Sequence, residues 1–332
     1  MAARNEQSAE ERLIARHFRP LAKHPGALAL ADDAAILTPP PGCDLVLTTD
    51  GVIAGVHFFP DDPSDTIGRK ALRMNLSDLA GKGAKPLGFL LSAALPAGVE
   101  EQWLADFAAG IGADAERYQC PLLGGDTDRT PGPTSISIAA FGAVAQGKMV
   151  RRSTAKVGDR IIVTGTIGDA ALGVLLRRDA QLADRWRLTE TMRDHLRQRY
   201  LLPQPRSVLA EAVLQHASAA MDVSDGLAGD LAKLCRASGI AAEVDVARVP
   251  LSEAACAALD ADPALIETAL TGGDDYEILL TLPAERLASF RSAAEAAGVA
   301  ASEIGHVVAG EGARFARDGK VLEFARPSFS HF

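Results

Sequence analysis

Apolar positions along this chain switch repeatedly between a spacing of two and a spacing of three to four, which predicts strands and helices in turn. Ser8-Ala9-Glu10-Glu11 suits a capping box, and Leu13, Ile14, His17 and Phe18 follow at helical spacing. Leu45 to Thr49 reads as a short strand ending at Asp50-Gly51. A helix capped by Ser64 runs to about Ala80 and stops at Gly81 and Gly83. Gly88 to Leu95 is a strand stopped by Pro96, and Glu100 to Tyr118 is a helix with Trp103, Leu104, Phe107 and Ile111 on one face. Pro121 to Leu123 is a short strand feeding a Gly124-Gly125-Asp126-Thr127 loop, and Thr134 to Val144 alternates as a strand.

The pattern restarts after Gly147, past a junction at Arg151-Arg152. Arg160 to Thr164 and a segment ending at Met221-Asp222 read as strands, and Gly226 to Ala237 as a helix. Asp275 to Leu282 is a strand, Pro283 to Ala297 a helix, and Arg317-Asp318-Gly319-Lys320 a hairpin turn. The expectation is a mixed α/β protein of two domains, residues 1–150 and 151–332.

Composition narrows the function. With 332 residues the chain is long enough for two domains and a large core. A net charge of -9 and 5% aromatics argue against nucleic-acid binding, which needs clustered cations or stacking platforms. Cys43, Cys120, Cys235 and Cys256 are scattered without Cys-x-x-Cys spacing, so a zinc ribbon or a thioredoxin-type site is not expected. The N-terminus lacks the apolar core of a signal peptide and no apolar run spans a membrane, so the expected location is the cytoplasm.

The chemistry lies in acids set beside glycines and hydroxyls: Asp32-Asp33, Thr48-Thr49-Asp50-Gly51, Asn75-Leu76-Ser77-Asp78, Gly124-Gly125-Asp126-Thr127 and Asp222-Val223-Ser224-Asp225-Gly226. Carboxylates there suit a hard divalent cation, and small residues let backbone amides approach phosphate. Asp78 falls in the last turn of its helix, where the dipole disfavours a carboxylate unless a cation compensates; Lys82, one turn on, is one candidate. Asp222-x-Ser224-x-Gly226 puts a carboxylate, a hydroxyl and open N–H groups at one helix start, as a phosphate site would; an Asp/Ser cap is the plainer alternative. Thr271-Gly272-Gly273-Asp274-Asp275-Tyr276-Glu277 adds a glycine turn with three acids around a tyrosine. Gly142 to Lys148 imitates a phosphate loop, but Met149 stands where the metal-binding hydroxyl belongs.

These motifs, with Gly55-Val56-His57-Phe58 and the terminal Ser330-His331-Phe332, resemble in order the thiamine-monophosphate kinase family. The resemblance implies an ATP-dependent phosphorylation of thiamine monophosphate to thiamine diphosphate. It also implies the two-domain fold of aminoimidazole ribonucleotide synthetase, with a homodimer whose N-terminal sheets join into a barrel. The family's several Mg²⁺ ions would fall to Asp33, Thr48, Thr49, Asp50, Asp78, Asp126, Asp222 and Asp225. ATP would meet Gly125, Asp126, Arg152 and Ser224; thiamine monophosphate would meet His57, Asp274 and one of Phe324 and Phe329. Asp274 stands where the family commonly has Glu, which shortens its reach by a methylene. Another ATP-dependent enzyme of the superfamily, a metal-dependent phosphatase and a non-catalytic nucleotide-binding scaffold are the alternatives.

Overall fold

The computed structural model describes residues 8–326 and 328. They form two compact units, one of residues up to 76 with 86–143, the other of residues 77–85 with 144 onward.

The first unit holds a four-stranded sheet of β1 (Cys43–Ile53), β2 (Lys85–Pro96), β3 (Leu122–Thr130) and β4 (Ser135–Ala145), in the order β1-β4-β2-β3. β2 and β3 run parallel, and the helix Glu101–Arg117 between them makes the crossover that a parallel pair requires. Alternate residues of the strands are buried: Val46 and Val52 on β1, Phe89, Leu91 and Ala93 on β2, Ile136, Ile138 and Ala140 on β4. The helix Ser64–Gly81 approaches Glu101–Arg117 so closely that a Cβ on Gly110 would lie 2.2 Å from the Asp65 carbonyl oxygen. A buried ion pair joins the same helices, with an Arg73 guanidinium nitrogen 3.0 Å from Asp114 Oδ1. Such a pair holds only because each charge finds the other, and breaking one side costs far more than the pair contributes.

The second unit carries a seven-stranded sheet, ordered β11-β10-β7-β9-β5-β8-β6. Its strands are β5 (Arg160–Thr164), β6 (Ala219–Asp222), β7 (Ala241–Asp245), β8 (Ile278–Leu282), β9 (Ala301–Val308), β10 (Gly312–Arg317) and β11 (Lys320–Val321). Both faces are covered, and the period of two sorts side chains between two cores. Ile161, Val163, Met221 and Leu279 pack with Leu227, Leu231 and Leu234 of the helix Leu227–Ser238. Ile162, Ala220, Ile278 and Leu280 pack with Val213, Phe290 and Ala80. Ala80 lies in the last turn of the Ser64–Gly81 helix, which is how residues 77–85 come to belong to this unit.

Several predicted elements stand as expected, including the capping box at Ser8, the helix to Gly81 and the β10–β11 hairpin that pairs Arg317 with Lys320. Two differ. β3 does not stop at Leu123 but runs through Gly124-Gly125-Asp126-Thr127, with Asp126 beside Ser92 of β2. The glycine serves close strand approach instead of a turn, since a Cβ on Gly125 would sit 1.8 Å from the Leu91 carbonyl oxygen. β8 begins only at Ile278, because Asp274 and Tyr276 take positive φ angles of 72° and 51° that no strand accommodates.

Candidate functional site

In the second unit the segment Asp222–Gly226 leaves β6 and enters the helix Leu227–Ser238 through Gly226, whose φ is 100°. It is laced to residues 273–277 by backbone bonds: Val223 N–H donates to Glu277 O at 2.8 Å, Tyr276 N–H to Val223 O at 2.8 Å, and Asp274 N–H to Ser224 O at 2.9 Å. A Cβ on Gly273 would fall 2.3 Å from the Ser224 carbonyl oxygen, so only glycine lets the two segments meet. The three acids around the tyrosine therefore separate by role. Asp275 is fully buried and accepts the Gly168 N–H with Oδ1 at 3.0 Å and Oδ2 at 2.9 Å. Burial pushes its carboxyl well above the usual range, against the pull of that amide and of Arg199. Glu277 is also buried, and takes Arg199 at 2.8 Å, Thr164 Oγ1 at 2.7 Å and a two-pronged contact from Arg206 whose Nε lies at 2.6 Å. Asp274 alone of the three is half-exposed, and its Oδ1 accepts the Tyr276 hydroxyl at 3.4 Å.

The helix end contributes Asp78 and Lys82. The Lys82 ammonium donates to Ala220 O at 2.8 Å, two residues before Asp222 on β6. Burial lowers its pKa, while the carboxylates of Asp222 and Asp78 raise it and Arg152 lowers it further. Lys82 is thus a largely buried cation within electrostatic reach of two predicted metal ligands, Asp222 and Asp78. Arg152 itself is exposed, and Ser238 Oγ holds its carbonyl at 3.0 Å. The expected open N–H groups at the Ser224 helix start are already taken: Ser224 and Asp225 donate to Asp230 Oδ2 at 2.9 and 2.8 Å. Lys233 binds Asp230 Oδ1 at 2.8 Å and also grips Asp225. Burial drives the Asp230 carboxyl upward, opposed by Lys233. Phe324 packs edge-on against Phe315, centroids 5.5 Å apart, at the margin of the core; Phe329 lies outside the described residues, as does the terminal Ser330-His331-Phe332.

In the first unit Asp33 is exposed, its N–H donating to Asp32 Oδ1 at 2.8 Å. Thr48, Thr49 and Asp50 lie on β1, with Thr49 Oγ1 donating to Ile138 O at 3.0 Å. His57 Nδ1 accepts the Ile53 N–H at 3.1 Å, and its carbonyl accepts Lys70 at 3.1 Å, which fixes the loop after β1. Gly125 and Asp126 face solvent on β3, where Asp126 Oδ1 accepts the Thr127 N–H at 2.9 Å. β1 and β3 are opposite edges of the sheet, so Asp50 and Asp126 stand on strands about 14 Å apart at the usual inter-strand spacing. Among the described residues no group of three or more His, Cys, Asp or Glu side chains is gathered closely enough to hold a metal ion. The oxygen donors suit Mg²⁺ chemically, and Lys233 pairs with the Asp225 carboxylate.

Comparison with known proteins decides the family. The chain is 42% identical over 322 residues to the thiamine-monophosphate kinase of Caulobacter vibrioides, covering 96% of this chain and 89% of that protein. The chain belongs to the thiamine-monophosphate kinase family. Its two halves match the AIR synthase related protein N-terminal domain at residues 31–144 and the C-terminal domain at 156–317. The structure of the family member from Stenotrophomonas maltophilia K279a is 37% identical with a TM-score of 0.80, covering 94% of this chain and 96% of that one. AaThiL complexed with AMPPCP and TMP is 32% identical with a TM-score of 0.76, covering 91% of each chain. Sequence reasoning for the family missed Asp230, Lys233, Arg199 and Arg206. The Asp-x-x-Lys spacing in the first turns of the Leu227–Ser238 helix was the available signal for the first two; the arginines, on a distant helix and loop, left none.

Proposed function

We propose that this protein transfers the γ-phosphoryl group of ATP to the phosphate of thiamine monophosphate, giving thiamine diphosphate and ADP. The observation that carries the reading is near-full-length identity to thiamine-monophosphate kinases, together with the likeness to a member complexed with AMPPCP and TMP.

Donor and acceptor are both phosphates, so the attacking oxygen is ionised near neutral pH and needs no strong base. The obstacle is repulsion: two unit charges 4 Å apart interact by about 4 kcal/mol at an effective dielectric near 20. Mg²⁺, when bound, neutralises the phosphate oxygens and aligns them for in-line transfer. Asp33, Thr48, Thr49, Asp50, Asp78, Asp126, Asp222 and Asp225 are the oxygen donors that would hold it. Gly125, Ser224 and the exposed Arg152 would orient the nucleotide, the arginine by paired hydrogen bonds to phosphate. His57 and Asp274 would face thiamine monophosphate, and the positive φ of Asp274 sets where its shorter side chain points.

A homodimer suits the first unit. The outer face of its sheet exposes Leu45, Leu47, Ile53 and Leu90, with Leu47 64% exposed, and β1 is an edge strand. Such a face asks for a cover, and a second copy joining sheet to sheet supplies one. No helix among the described residues is long and apolar enough to cross a membrane, and the net charge of -9 disfavours nucleic acid as a partner. Unpaired thiols suit the reducing cytoplasm.

Purified protein incubated with ATP, Mg²⁺ and thiamine monophosphate should yield thiamine diphosphate and ADP in equal amounts. Free phosphate without thiamine diphosphate would mark a phosphatase, and nucleotide binding without turnover a scaffold.

A further inference from the structure

The Asp222–Gly226 loop carries side chains assigned above to nucleotide and metal, yet the helix after it supplies two charged groups that this assignment does not use. Asp230 is 0% exposed. From the first turn of the helix it reaches back to two successive amides, Ser224 and Asp225, and anchors them both on one oxygen. Its other oxygen meets the Lys233 ammonium, which also bridges to the Asp225 carboxylate. An ordinary N-cap side chain sits just before the helix and satisfies one N–H at its start. Two consecutive N–H groups aimed at one anionic oxygen form the kind of concavity that elsewhere binds phosphate. Here the chain fills that concavity with its own carboxylate.

Two consequences follow. Nucleotide phosphates meet this loop through its side chains, because Asp230 occupies the amides. The Asp225 carboxylate, about a third exposed at 36%, is aimed before any ion arrives, by an ammonium that is itself 29% exposed and keeps Asp230 as a second partner. We infer that Asp230 and Lys233 are positioning residues for the proposed reaction: Asp230 sets the loop from inside, and Lys233 holds Asp225 as a tethered cation that a divalent ion displaces. The inference rests on the kinase reading given above.

The full-length protein tests it by hydrogen exchange, Mn²⁺ binding and kinetics. In Asp230→Asn the amide side chain offers one acceptor and no charge, so exchange at residues 222–226 should speed up by about tenfold or more, with β5 and β8 unchanged. kcat/KM for ATP should fall by about 100-fold, most of it in KM for the metal–nucleotide, as a displaced loop predicts. Unchanged exchange at 222–226 overturns the role of Asp230, and so does faster exchange everywhere, which makes it a folding residue. In Lys233→Met, whose side chain is partly exposed, Mn²⁺ should bind the nucleotide-free protein about three- to fivefold more tightly, read by electron paramagnetic resonance, because no ammonium competes for Asp225. Equal or weaker Mn²⁺ binding overturns the role of Lys233. Wild-type protein that makes no thiamine diphosphate would remove the kinase reading, while the exchange and Mn²⁺ results would still decide the placement of the loop.

Discussion

Asp126 on β3 and Asp222 at the end of β6 offer the same functional group, but the protein treats them differently. Asp126 stands exposed on an edge strand, engaged with the backbone of its own neighbour. Asp222 is buried, under the influence of the Lys82 ammonium, and its loop is pinned by Asp230, Lys233 and the backbone of 274–277. Asp126 of the first unit stands on an open strand, whereas the acids around Asp222 in the second are embedded among countercharges. The lesson is that a motif's residue types do not reveal how they are held. Acids in the second unit can be essential to the fold without touching substrate, and exposed acids in the first can be essential to turnover without supporting the fold.

The sharpest way to break this contrast is Asp126→Asn. Turnover should fall by about 1000-fold or more, equivalent to about 4 kcal/mol of transition-state stabilisation. The melting temperature of the metal-free protein should stay the same or rise, because an exposed carboxylate has been removed from a chain of net charge -9. A large drop in melting temperature would instead make Asp126 a residue of the fold. Glu277→Gln sits on the other side of the contrast. It leaves Arg199 and Arg206 facing a neutral amide, so denaturant unfolding should show a loss of about 3–5 kcal/mol. A loss near zero would mean that the buried arginines find other partners.

Leu47→Glu concerns the open face of the first unit. If the proposed dimer forms through this face, sedimentation should show the variant as a monomer where the wild type is a dimer, with the stability of the monomer changed by about 0.5 kcal/mol or less, as at an exposed position. A dimer that survives would place the interface elsewhere. The effect of Asp275→Asn should depend on pH. Burial raises the Asp275 carboxyl well above its ordinary 3.8, so the folded state binds a proton that the unfolded state has released. Wild-type stability contributed by that group is full below 3.8 and declines as pH climbs toward the raised value. The variant lacks this decline. Melting curves should therefore show it gaining on the wild type from acid to neutral pH, and a constant offset would show that Asp275 keeps an ordinary carboxyl.

Much of the architecture was legible along the chain. β5 begins and ends where its sequence reading does, as a short apolar run, and the helix from Ser64 stops at Gly81 as the glycine pair requires. Arg317 to Lys320 forms its hairpin because Asp318 and Gly319 both accept positive φ. The glycines of Gly124-Gly125 were misread, because a glycine that admits a neighbouring strand looks in sequence like a glycine that makes a turn. The strand reading of 275–277 failed for a related reason: buried Asp275 and Glu277 obey partners on other elements, which override any local preference.

Local periodicity and the order of short motifs settled the alternation of elements and the family, since both are carried by neighbouring residues. Only tertiary structure decided that Asp230 fills the amides of residues 224 and 225, that Lys82 comes within electrostatic reach of Asp78 and Asp222, and that Asp50 and Asp126 lie on opposite edges of one sheet. Strand order and countercharge arise between residues far apart along the chain, and the energy of a buried charge depends on who faces it in space.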